Sequence, residues 1–135
     1  MIAAERFWRP APPASEASLA RLRKLSPVEL PQSYLDLLAF CDGGEGPLPV
    51  EPLWFQLDPA DVIADAIKHR QHTAGFPGFI VIGSNAGSEY IALDVRGSSP
   101  WPVVAIDMTN GKLDESIHPI SPSFDSFLAL IGQTD

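Results

Sequence analysis

The sequence predicts an α+β domain with a mainly antiparallel sheet. Three observations lead to this prediction: apolar residues with helical spacing occur towards both ends of the chain, several short apolar runs follow one another between them, and turn residues join most of those runs. Strands joined by short turns pair antiparallel, whereas parallel strands need long crossover connections. The chain has 135 residues without an internal repeat, and 45% of them are hydrophobic, which suits one domain with its own core.

The N-terminal part of the sequence predicts an arm and two helices. Residues 1–14 are rich in proline and lack periodicity, so we expect a flexible arm before a single domain at residues 15–135. Ser15 is the expected N-cap of the first helix, and Pro31 suits the first turn of the second. The apolar face of the second helix has the spacing i, i+3, i+4 and i+7. This face consists of Tyr34, Leu37, Leu38 and Cys41. Gly43 is the expected left-handed cap at its end.

The middle of the sequence predicts a connector, a strand and a helix. Residues 45–52 contain three prolines and predict a connector. In residues 53–57, Leu53, Phe55 and Leu57 alternate with Trp54 and Gln56, as one buried and one exposed face of a half-buried strand would. Asp58 is then the expected N-cap of a helix that ends near His69. Its expected inward-facing residues are Val62, Ile63, Ala66 and Ile67.

The C-terminal half predicts consecutive strands and a last helix. The expected strands are residues 79–83, 89–94, 102–108 and 113–120. The first two flank a turn that contains Gly87, and the Asn110–Gly111 pair favours a two-residue hairpin before the last strand. Ser123 is the expected N-cap of the final helix, and Gly132 its stop. The apolar stripe of this helix is Phe124, Phe127, Leu128 and Ile131.

The charge distribution narrows the class of partner. The net charge is −8, with five basic and three acidic residues in 1–30 but four and fourteen in 31–135, which gives +2 and −10. Such a surplus of carboxylates repels phosphate backbones and anionic lipids, so we expect neither nucleic acid nor membrane as a partner and favour a basic protein. The alternative is that the acidity only keeps the protein soluble. The sequence shows no signal peptide and no apolar run of membrane-spanning length, which predicts a cytoplasmic protein.

The glycines and histidines of the sequence are better explained by structural roles than by a cofactor or metal site. Neither glycine-rich stretch, residues 40–46 or 82–94, precedes a helix with the lysine of a phosphate-binding loop. The three histidines, His69, His72 and His118, lack the spacing of a zinc site, so we expect no metal and no cofactor.

Tests for catalytic residues also favour structural roles. Cys41, the single cysteine, falls on an apolar helix face and is expected to be buried. The remaining enzymatic hypothesis is a pair of carboxylates at the ends of elements. The candidates are Asp42, Glu45, Glu89, Asp94 and Asp107. Nothing in the sequence places two of them at a working separation, so we expect no enzyme.

Three segments in this order resemble the SUKH superfamily, which includes bacterial immunity proteins against polymorphic toxins and fungal regulators of cell-wall synthesis. They are the Leu-Pro-x-x-Tyr helix with its Gly-Gly-Glu-Gly end (residues 30–46), the Gly-x-Glu-Tyr turn (87–90) and the Ser-Phe-x-x-Phe-Leu helix (123–128). The resemblance covers nearly all of residues 28–132. It implies an α+β fold with a bent sheet packed by N-terminal, middle and C-terminal helices, no catalytic activity and a toxin-binding role. Asp42 and Ala86 depart from the Asn and Gly that are common in relatives.

Three functions stay open at this point. The first is an immunity protein that binds a cognate toxin, basic if the toxin is a nuclease; the second is a regulatory protein-interaction module without a toxin; the third is an enzyme that uses an acid pair. The expected partner-binding residues are Asp42, Glu45, Glu89, Asp94, Trp54 and Trp101. The expected structural turn residues are Gly43, Gly44, Gly46 and Gly87.

Overall fold

The computed structural model describes residues 2, 5–72, 76–109 and 112–134. The helices are α1 (Glu16–Leu25), α2 (Gln32–Phe40), α3 (Ala60–Lys68), α4 (Leu113–Ser116) and α5 (Phe124–Leu128). The strands are β1 (Arg9–Pro10), β2 (Gly44–Pro47), β3 (Trp54–Leu57), β4 (Phe79–Ser84), β5 (Glu89–Asp94), β6 (Val103–Asp107) and β7 (Ile117–Ser121). Within the described residues these strands form one open sheet in chain order, and every neighbouring pair is antiparallel. The predicted α+β class with an antiparallel sheet is confirmed.

The main hydrophobic core lies between one face of the sheet and the helices α1, α2, α3 and α5. Aromatic side chains hold its centre: the Tyr34 and Phe124 rings meet edge to face at 5.3 Å, and the Phe55 and Phe127 rings do so at 4.9 Å. A smaller apolar cluster lies on the opposite face, beside Leu113 of α4. Each central strand therefore buries side chains on both of its faces.

Several local predictions are confirmed. The Ser15 side chain accepts the Ser18 N–H at the start of α1, and Ser123 accepts the Ser126 N–H at the start of α5. Cys41 is fully buried, and this burial raises the pKa of its thiol. Such positions follow from local periodicity and capping, because they depend on residues within one or two helical turns.

The N-terminal segment is not the predicted flexible arm in its described residues 5–14. The Phe7 N–H donates to the Gly132 carbonyl at 2.9 Å, and β1 adds an edge strand next to β2. The Trp8 ring stacks on Phe55 with ring centroids 6.0 Å apart. Proline is compatible with an edge strand, and the partly buried Trp8 indole supplies the apolar contact that periodicity alone could not reveal.

The glycines Gly44 and Gly46 lie in strand β2 and not in a turn, so the predicted connector is wrong at residues 45–47. A Cβ on Gly44 would lie 2.8 Å from the Trp8 ring, and one on Gly46 would lie 2.3 Å from the Phe7 carbonyl oxygen. The absence of side chains therefore lets the N-terminal segment lie directly on β2.

Two predictions about the ends of helices are wrong. Helix α2 ends at Phe40, and its C-cap residue Cys41 is extended, so Gly43 is not the helix cap although its φ of +115° does require glycine. Asp58 is not the cap of α3: the Ala60 N–H donates instead to the Asp42 carboxylate, at 2.7 Å. The capping group comes from a residue that is distant in sequence, which local rules do not consider.

Residues 62 and 113–116 also differ from the prediction. Val62 is 49% exposed, and the inward face of α3 includes Ala64 in its place. Residues 113–116 form α4, so the last strand begins only at Ile117. The predicted Asn110–Gly111 hairpin lies outside the described residues.

In the β4–β5 turn the left-handed residue is Ala86, with φ +62°, and not Gly87. The Asn85 side chain holds this turn, because its Oδ1 accepts the N–H groups of Gly87 and Glu89. Short polar side chains commonly close turns in this way.

Candidate functional site

The predicted partner-binding residues do not form one surface. Asp42 is partly buried, and its carboxylate caps α3 through the Ala60 N–H. Glu45 of β2 lies between Arg9 of β1 and Gln56 of β3 in the register of the sheet. Asp42 thus has a structural role in the fold, and Glu45 is next to a cation.

Asp94 lies at the opposite end of β5 from Glu89, and its carboxylate is bound by Arg96. The Arg96 guanidinium contacts both carboxylate oxygens at 3.0 and 2.9 Å. Hydrogen bonding to Arg96 lowers the pKa of Asp94. This carboxylate is therefore compensated within the chain.

The two tryptophans of the prediction lie in separate places in the fold. Trp54 begins β3 opposite Pro47 and is partly buried. Trp101 precedes β6, and its indole N–H donates to the Glu29 carbonyl at 3.2 Å. Trp101 also lines a cavity of about 480 Å³, together with the N-terminal ends of α2 and α5. No single partner-facing patch of tryptophans results.

Glu89 lies in different surroundings, which we call the acidic pocket. The residues lining this pocket are Glu51, Pro52, Glu89, Ala105, His118 and Pro119. Its volume is about 270 Å³. It is formed where the loop between β2 and β3 meets strands β5, β6 and β7.

The register of the sheet explains why Glu89, Ala105 and His118 share one face. Glu89 pairs with Asp107, and Ala105 pairs with His118. Directly paired residues point to the same face, as do alternate residues of a strand. Ile91, two residues after Glu89, is part of the main core. The acidic pocket therefore continues the core-facing side of the sheet to its end.

The loop that supplies Glu51 and Pro52 carries two exposed apolar side chains. Val50 is 41% exposed and Leu53 is 50% exposed. Leu53 also has a φ of +73°, in the left-handed region that a residue with a Cβ adopts only at a cost of about 1 kcal/mol or more. The Leu53 N–H donates to the Val50 carbonyl, and the Leu53 carbonyl accepts the Leu48 N–H. These hydrogen bonds hold Leu53 in this conformation.

Several basic side chains interact with groups of the chain itself, away from the acidic pocket. Arg21 of α1 forms ion pairs with Asp61 and Asp65 of α3. The Arg6 guanidinium donates to the carbonyls of Leu128, Ala129 and Ile131, which satisfies the C-terminal end of α5. Among the residues that the structure describes, no salt bridge reaches Glu51 or Glu89.

Sequence reasoning found Glu89 but missed Glu51 and considered His118 only as a metal ligand. Glu51 lies in a proline-rich loop, and nothing in its local pattern places it opposite β5. One signal was present: residues 50–53 carry valine and leucine in a short segment otherwise made of turn-forming and charged residues. Exposed apolar residues in a loop are typical of binding surfaces.

The histidines lie in two places in the fold. His72 follows α3, and its ring meets Tyr90 edge to face at 4.9 Å. Burial lowers the pKa of His72. His118 is on β7, in the acidic pocket. In residues 2, 5–72, 76–109 and 112–134 no group of three or more His, Cys, Asp or Glu side chains is arranged to hold a metal ion.

A helix that crosses a bilayer must be both long and apolar. None of the helices in the described part of the chain meets both conditions.

The chain is similar to a known protein family. No curated protein matches the chain. The model of the SMI1/KNR4 family (SUKH-1) matches residues 13–130, which covers α1 to α5 and all strands except β1. Members of this family are generally non-catalytic immunity or regulatory domains that act through protein interactions. Because the match extends over most of its length, the chain belongs to the SMI1/KNR4 (SUKH-1) family.

Proposed function

We propose that this protein is a non-catalytic immunity protein that binds a cognate bacterial polymorphic toxin and neutralises it. The toxin is a basic protein, for example a nuclease, and the complex forms in the cytoplasm of the cell that makes both. Membership of the SMI1/KNR4 family supports a role in protein interaction or immunity.

The placement of charged residues supports the proposal that the partner is basic. The chain has a net charge of −8. Arg21 and Arg96 bind carboxylates of the chain itself, whereas Glu51 and Glu89 line an open pocket without a salt bridge among the described residues. Carboxylates in such a pocket attract cations from solution, and a basic protein surface supplies them.

To neutralise the toxin, such a protein only needs to occupy the toxin's substrate-binding surface. A bound acidic partner covers the cationic surface with which a nuclease holds its phosphate substrate, so the toxin loses its substrate without any bond being made or broken. Long-range attraction also speeds the encounter, and this effect weakens as salt screens the charges over about 10 Å at 0.1 M.

The test uses a toxin domain encoded directly upstream of this gene, where the native genome contains one. That domain is expressed in a host cell with and without the immunity protein, and survival is scored. The purified pair is then mixed by stopped flow across a salt series. We expect survival only with the immunity protein, and association that slows as salt rises.

Charge-reversed variants give this test its control. Glu51→Lys and Glu89→Lys should lower the association rate about tenfold each at low salt. Asp36→Lys changes the net charge equally on the exposed side of α2 and should have a much smaller effect. Failure of the wild type to protect the cell or to bind the toxin domain would reject the immunity role.

The alternative is a regulatory interaction module of the cell-wall-regulator type, without a toxin partner. The family includes both roles, so a gene neighbourhood with a cell-wall enzyme or kinase and no toxin favours this alternative. Deletion of the gene would then change cell-wall phenotypes and leave toxin sensitivity unchanged.

A further inference from the structure

We propose that the acidic pocket and the Val50–Leu53 loop together form the docking surface, and that this surface takes an arginine or lysine side chain flanked by an apolar residue of the partner. This inference rests on the proposed function for the identity of the partner. It adds the location of the interface and the chemistry of the segment that enters it.

Leu53 is costly to the folded chain. Its φ of +73° strains the backbone, and half of its surface is in contact with water. Glycine or asparagine would adopt this φ more easily, and neither would expose an apolar side chain. Strain and exposure at one residue bring the isolated chain no stability, whereas an apolar partner would bury the leucine.

The acidic pocket beside this leucine has room for a side chain of the partner. Glu51 and Pro52 lie between Val50 and Leu53 in the chain and also line the pocket. A cavity of about 270 Å³ is much larger than the ~30 Å³ that one water molecule occupies, so the end of a long side chain can enter it. Apolar loop residues and the pocket are therefore parts of one continuous surface.

The lining of the acidic pocket is complementary to a cationic side chain. Glu51 and Glu89 supply carboxylates, while Pro52, Ala105 and Pro119 supply apolar walls. The methylene stem of an arginine or lysine packs on apolar walls while its charged end reaches carboxylates. Arginine fits better than lysine, because a guanidinium donates two parallel hydrogen bonds to a carboxylate.

A peptide experiment tests the chemistry without the toxin. The probe is the capped tripeptide Leu-Arg-Leu, titrated into the full-length ¹⁵N-labelled protein, with the citrulline peptide as its uncharged control. We expect the amide chemical shifts of Glu51, Leu53 and Glu89 to change on titration. The citrulline peptide should bind about tenfold more weakly than the arginine peptide. Equal shifts for both peptides, shifts confined to the Trp101 cavity, or none at saturating peptide would overturn the inference.

A second experiment separates binding from folding. Leu53→Gly removes the exposed side chain and the backbone strain, so its melting temperature should be equal or higher while affinity for the toxin domain falls about tenfold. Val62→Ala truncates an equally exposed residue on α3 and should leave affinity unchanged. A lower melting temperature with unchanged affinity for Leu53→Gly would mean that Leu53 is structural.

The two experiments also separate this inference from the proposed function. If the wild type neutralises the toxin domain but Glu51→Gln and Leu53→Gly do so equally well, the docking surface is elsewhere and the immunity role stands. If no toxin is neutralised, the peptide titration still decides whether the pocket takes a cationic side chain.

Discussion

Asp58 offers the clearest test of the energetics of this fold. It joins β3 to α3 and is partly buried, and this burial raises the pKa of its carboxyl group from 3.8 to about 6. Each pKa unit corresponds to about 1.4 kcal/mol, so the full shift would be worth about 3 kcal/mol. Because part of the carboxylate is exposed to water, screening reduces this to about 1–2 kcal/mol.

The sign of the effect follows from proton linkage. The pKa is higher in the folded state, so the contribution of Asp58 to stability is complete below pH 3.8 and is lost as the pH rises through about 6. An asparagine at this position would keep the shape of the side chain and could not ionise. Asp58→Asn should therefore raise the free energy of unfolding by about 1–2 kcal/mol at pH 8 and leave it unchanged near pH 4.

This difference is measured by urea unfolding of the wild type and the variant from pH 4 to pH 8. Groups that titrate equally in both proteins cancel when the two free energies of unfolding are subtracted. Asp36→Asn is the matched control, because Asp36 is exposed on α2. Its difference from the wild type should stay within about 0.5 kcal/mol at every pH. A difference for Asp58→Asn that is constant with pH would refute the role of burial at this carboxylate.

Three further predictions concern the packing. Gly46→Ala should lower the free energy of unfolding by about 2–4 kcal/mol, since its Cβ would lie 2.3 Å from the Phe7 carbonyl oxygen, and Trp8 fluorescence should move towards that of an exposed indole. Phe127→Ala should cost about 3–5 kcal/mol in urea unfolding, because this ring is fully buried. The Cys41 thiol should react with a thiol reagent only as fast as the protein opens; rapid labelling of the native protein would show that Cys41 is accessible.

The parts of the fold that the sequence predicts are those with local causes. Helix α2 follows from the spacing of Tyr34, Leu37 and Leu38, which are all fully buried. Strands β4, β5 and β6 follow from short apolar runs between turn residues. In each case the residues that decide the structure lie within about two turns or one strand of one another, so a reading along the chain can find them.

Strand β2 could not be predicted in the same way. Glycine and proline make up three of its four residues, and both are rare in strands. The strand forms because Trp8 and the backbone of residues 7–9 lie against Gly44 and Gly46. A contact between segments that are far apart in the sequence overrides the local preference. The same reason explains the cap of α3, where Asp42 replaces the adjacent Asp58.

The candidate site depends still more on contacts between distant parts of the chain. Glu51, Glu89 and His118 come from three separate segments; the pairing of β5, β6 and β7 places Glu89 and His118 on one face, and the loop between β2 and β3 adds Glu51. A list of carboxylates at element ends therefore included Asp42 and Asp94, which the fold uses for a cap and an ion pair, and omitted Glu51. Glu51 and Glu89 form no salt bridge among the described residues, and they are the acids that we propose for partner binding. Leu53, which is strained and exposed, lies beside them, and this is why we propose this part of the surface as the docking site. The charge reversals at Glu51 and Glu89 and the variant Leu53→Gly test this proposal directly.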